Sequence, residues 1–105
     1  MNESLNNPLG MQAALLTALA RLAETHQALP GAYITTSGIT PGEAHVLLDS
    51  PSELEAWRQA LHIDPADVLI TERGDDTKLL FTAPLGRISL RVYTVFAPAA
   101  WVVSA

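Results

Sequence analysis

Cysteine is absent from all 105 residues, which excludes disulfides, thiol catalysis, cysteine-based zinc sites and iron–sulfur clusters. Basic side chains are scarce. Arg21, Arg58, Arg73, Lys78, Arg87 and Arg91 are the full set, no two adjacent, against eleven acidic residues, and the formal net charge is −5. Proteins that bind a nucleic acid backbone gain much of their affinity by neutralising phosphates, and anionic lipid attracts the same kind of charge. Neither nucleic acid nor membrane is therefore an expected partner. No apolar run approaches the roughly eighteen residues of a membrane span. The opening MNESLNNPLG carries Glu3 and no Lys or Arg before the first apolar stretch, a poor secretion signal, so the expected location is cytoplasmic.

The missing motifs are equally informative. The only Pro-Gly loop of interest, ITPGEAH, lacks both the repeated glycines and the Lys-Ser/Thr of a phosphate loop. Ser37, Ser50, Ser52 and Ser89 sit in turn, cap or strand settings with no nucleophile-elbow sequence around them. Glu53 and Glu55 lie two apart on a helix and do not face each other. His26, His45 and His62 are too few and too scattered for a zinc site. Arg73-Gly74-Asp75, with Glu72 and Asp76 on either side, reads as a tight turn rather than a cation site. No catalytic residue, metal ligand or cofactor is expected, and the balance leans away from an enzyme.

What is present is enough for one domain. Hydrophobic residues form 49% of the chain, above the disordered range. A chain of this length buries about two-thirds of its extended surface without help from metal or disulfide. The richness in Ala, Leu, Pro and Thr, with a single Lys, fits a GC-rich bacterial genome. The expected organisation is a flexible leader (1–7), a single α+β domain (8–97) and an apolar tail (98–105) packed on its own domain or on a partner.

Within the domain, Asn7-Pro8 reads as a capped helix start. Met11, Leu15, Ala18, Leu19 and Leu22 form one stripe at helical spacing, widened by Leu16. The stretches 32–37 and 44–49, joined by the Pro-Gly turn in 38–43, suggest a hairpin that sends Ala44, Val46 and Leu48 to one side. Ser50, Pro51 and Glu53 make a capping box with proline at the first helical position, the clearest local signal in the chain. Leu54, Trp57 and Leu61 share one face of the helix that follows, and their spacing places the Trp57 indole in the core. A meander then runs through 68–71, 78–82 and 87–96, with turns at 73–76 and 83–86. The predicted order is α-β-β-α-β-β-β: a two-layer sandwich with two helices on one face of a mainly antiparallel sheet.

The functional expectation is a small non-enzymatic protein-interaction or adaptor module that self-associates, most simply as a homodimer. Its expected surface is the odd-numbered face of strand 87–96, with Arg87, Arg91 and Tyr93, together with Trp101 of the tail. That strand, apolar on both sides, is also the candidate edge for pairing. The alternative is a sensory module or small enzyme with a ligand pocket between helices and sheet, lined by Tyr33, His45 and Arg91.

Overall fold

The computed structural model describes residues 7–97. The chain forms α1 (Ala13–Thr25), β1 (Tyr33–Thr36), β2 (Glu43–Leu48), α2 (Pro51–Ala60), β3 (Leu69–Arg73), β4 (Asp76–Leu85) and β5 (Ile88–Phe96). Short 3-10 turns at Leu9–Gln12 and Pro65–Asp67 precede α1 and β3. The five strands make one sheet in the order β1-β2-β5-β4-β3. All neighbours are antiparallel except β2 and β5, which run parallel. The fold is α+β, with both helices on one face of a mixed sheet.

That one parallel pair follows from the connection. A hairpin can only reverse the chain, whereas the segment between β2 and β5 crosses over through α2 and the β3–β4 hairpin and returns in the original direction. β5 is therefore the central strand, bonded on both sides, and not the edge expected from its sequence. Apolarity on its two faces does not report which strands lie beside it; the hydrogen-bonded order does. The edges are β1 and β3.

Alternation along the strands sets the core. Ala44, Val46 and Leu48 of β2, Phe81 and Ala83 of β4, and Ile88, Leu90 and Val92 of β5 are buried together beneath Leu15 and Leu22 of α1 and Leu54 and Trp57 of α2. Thr94 continues the β5 row and is fully buried. Its hydroxyl donates to the Leu48 carbonyl at 2.8 Å, so the polar atom is satisfied. Trp57 is only 5% exposed, and its indole N–H donates to the Pro30 carbonyl at 2.9 Å. The indole thus fills the core and ties α2 to the loop that follows α1.

The helix ends depart from expectation in instructive ways. Asn7 does not cap α1; its side-chain amide donates to the Gly38 carbonyl at 2.9 Å and ties the segment before α1 to the β1–β2 turn. The α-helix begins only at Ala13, after the 3-10 turn, so Met11 stays exposed, as does Leu16. At α2 the Ser50 hydroxyl accepts from the Glu53 amide as expected, but the Glu53 carboxylate accepts from the Asp49 amide, one residue upstream of the usual partner. The C-terminus of α2 carries two reverse bonds, His62 N–H to the Gln59 carbonyl and Ile63 N–H to the Arg58 carbonyl. This is a Schellman closure with His62, rather than glycine, in the left-handed region at φ 59°. The 83–86 turn is shorter than expected: β4 runs to Leu85, and Gly86 (φ 65°) and Arg87 alone close the β4–β5 hairpin. Glycine at the first position of a two-residue loop supplies the positive φ that right-twisted strands need.

Candidate functional site

Helices cover one side of the sheet; among the described residues nothing covers the other, the open side. Register and alternation place Tyr33, Leu47, Tyr93, Leu80 and Leu69 in one row across all five strands on that open side. At about 4.8 Å between strands the row is about 19 Å long. It is exposed at its two ends, with Tyr33 73% and Leu69 60% accessible, and half-buried in the middle. A solvated sheet face normally alternates toward polar side chains, so a continuous apolar row is the distinguishing feature of this molecule.

Polar rows flank the stripe. On one side Thr35, His45, Arg91 and Thr82 align across four strands. His45 Nε2 lies 3.2 Å from the Glu43 carboxylate. On the other side Val95, Lys78 and Thr71 align, and the Lys78 ammonium sits 4.9 Å from the centroid of the Tyr93 ring, a cation–π contact. A hollow of about 220 Å³ lined by Thr71, Arg73, Asp76, Lys78 and Val95 opens at this end. Among the described strand residues, Arg73, Lys78 and Arg91 stand on the open side, with Glu43 and Asp76 as its carboxylates. In an acidic chain this face is the less acidic one.

Of the residues expected at an interaction surface, Arg91 and Tyr93 lie on this open side, while Arg87 belongs to the β4–β5 turn. Trp101, the tail 98–105 and leader residues 1–6 lie outside the described residues. Tyr33, His45 and Arg91 do not line a pocket between helices and sheet. All three occupy the side facing away from the helices, because odd-numbered positions of β2 and β5 alternate opposite to the buried even-numbered ones, and Tyr33 shares the row of Leu47. His45 and Arg91 are direct register partners there, and Tyr33 is one row away.

The rim at β3 was not visible from sequence. All five of its residues are exposed, including Leu69 and Ile70, the latter 67% accessible on the helix side. Adjacent apolar residues in a strand normally mean burial on both faces; here they mean a bare edge. On the helix side, a groove of about 730 Å³ runs between α1 and the β4–β5 turn, with Arg21, His26, Leu22 and Leu85 along it. Among the described residues no three His, Asp or Glu side chains gather as a metal site, and no helix is long and apolar enough to cross a membrane. No protein-family model matches the chain, and comparison with curated proteins returns no match.

Proposed function

We propose that this chain is a small, cytoplasmic, non-enzymatic protein-interaction module that self-associates and offers the helix-free side of its sheet to partner proteins. The observation that supports this reading is the Tyr33–Leu47–Tyr93–Leu80–Leu69 row, which crosses the whole sheet with no covering layer among the described residues. Apolar surface organised in one band, with Arg91 and Lys78 beside it, has the composition of an interface: an aromatic and aliphatic centre with a polar rim. The test is light scattering coupled to size-exclusion chromatography, on the full chain and on a version ending at Ala97. Dimer in both assigns self-association to residues up to 97; dimer in the full chain alone assigns it to the tail. Monomer in both at high concentration overturns self-association.

The competing reading, a ligand pocket between helices and sheet, keeps one observation in its favour. The α1 groove has the volume of a small-molecule site and carries Arg21 as an anchor for an anion. Saturable binding of a small apolar carboxylate that is lost in Arg21→Ala would favour it over the interaction module.

A further inference from the structure

We infer that the segment 98–105 turns back over the open side of its own sheet and seats Trp101 in the hollow lined by Thr71, Arg73, Asp76, Lys78 and Val95. One copy suffices for this contact, so it stands apart from the self-association proposed above.

The first ground is where β5 delivers the chain. β5 ends at Phe96. Val95 aligns with Lys78 and Thr71, and Arg73 pairs with Asp76 two residues further along the same face. Continuing the β4–β5 register by one residue sets Ala97 beside Asp76, at the rim of the hollow. Pro98 brings no N–H and a fixed φ, so it donates nothing to a longer β5 ladder. At this end of the sheet the helix side is already filled, with Leu48 and Thr94 buried, whereas Val95 on the open side is 45% exposed.

The second ground is reach. Trp101 stands four residues beyond Ala97, a span of at most about 14 Å. β4 and β3 lie one and two strand spacings from β5, about 5 and 10 Å. The hollow is within that span. The groove beside α1 is not: it lies at Leu85 and Gly86, where β5 begins, and the strand from Ile88 to Ala97 is about 30 Å long.

The third ground is chemical fit. A volume of about 220 Å³ is smaller than the site of a drug-sized ligand and suits one large side chain. Val95 supplies an apolar floor, Arg73 and Lys78 supply cations for the face of an indole, and Asp76 supplies an acceptor for its N–H. The Lys78 ammonium already lies over one aromatic ring, 4.9 Å from the Tyr93 centroid. Residues 98–105 carry no charged side chain, and Val102 and Val103 follow Trp101. The half-buried Tyr93 and Leu80 in the adjoining row are the surface those valines would cover.

The experiment is fluorine NMR on the full chain labelled with fluorotryptophan, whose two resonances are assigned with Trp101→Phe. The change in shift between light and heavy water reads the exposure of each indole, with buried Trp57 as the internal reference. Trp101 is expected to lose most of the solvent shift that free fluorotryptophan shows, and to keep that protection on dilution. Thr71→Phe fills the hollow from an exposed strand position, and Val95→Asp charges its floor; each is expected to restore the full solvent shift. Circular dichroism and an unmoved Trp57 resonance establish that each variant is folded. A parent Trp101 as accessible as free fluorotryptophan would overturn the inference, as would protection that neither folded variant removes. Protection that disappears on dilution together with a dimer seen by sedimentation would overturn it too, giving the segment to a second copy. A chain that is monomeric throughout with Trp101 protected upholds it and removes self-association alone.

Discussion

Replacing Trp57 with phenylalanine keeps a ring in the core but removes the N–H that reaches the Pro30 carbonyl. The lost hydrogen bond is worth about 1 kcal/mol, and more if the carbonyl stays dry. The smaller ring gives up about 40 Å² of buried apolar surface, or about 1 kcal/mol at 25 cal/mol per Å². The sum is about 2 kcal/mol, and at 4–8 °C per kcal/mol for a domain of this size the melting temperature should fall by about 8–16 °C. Trp57→Ala deletes the whole side chain, for about 3–5 kcal/mol. That approaches the entire stability of a marginal domain, about 5–15 kcal/mol. Urea unfolding followed by far-ultraviolet circular dichroism is the assay, because the substitution removes one of the chain's two tryptophan fluorophores. A Trp57→Phe variant within about 0.5 kcal/mol of the parent would refute the reasoning, as surface substitutions usually fall in that range. Equal losses for Phe and Ala would refute it too, since the ring would then contribute nothing.

Three further outcomes are expected. His62→Gly should stabilise the chain by about 1 kcal/mol, since glycine adopts the left-handed closure of α2 without the Cβ penalty; a loss in chemical denaturation would show that the imidazole has a role there. Thr94→Val should destabilise by about 1–2 kcal/mol in the same assay, because the bond to the Leu48 carbonyl goes while the shape stays. Hydrogen bonds from Arg58 and then Gln59 hold the Glu55 carboxyl down from 4.5 to about 2. A folded-state value below the unfolded one means stability that is present above 4.5 and lost as pH falls toward 2. Glu55→Gln should therefore flatten the pH dependence of stability in that window, by a small amount because the pair is exposed to solvent; an unchanged slope in an acid titration would count against the pairing.

The elements and their faces were legible because each rests on local chemistry. Ser50-Pro51 with Glu53 marks the start of α2, and the alternation from Ile88 to Thr94 marks a strand with one buried side. Sheet order was not legible. Nothing in β5 says that β2 rather than solvent lies beside it, because two-sided apolarity suits a central strand and an interface strand equally. The open-side row was half legible: Tyr93 and Arg91 were assigned to a common face, but Leu47, Leu80 and Leu69 join them only through register across separate strands. Asn7 shows the same limit at an end, where a good capping residue is drawn to Gly38, distant in sequence, instead of to its own helix.

The late strand β5 occupying the middle of the sheet has a consequence for biosynthesis. Its partner β2 leaves the ribosome some forty residues earlier and must wait, since the rows that bury Val46 and Leu48 exist only once Leu90 and Val92 have emerged. Non-local pairings of this kind are slow to close, so the nascent chain carries an unfinished hydrophobic layer until almost all of the domain has been made. A stalled or shortened product ending before Ile88 would hold both helices and four of the five strands yet have no centre to assemble on, which makes it a natural client for chaperones and proteases.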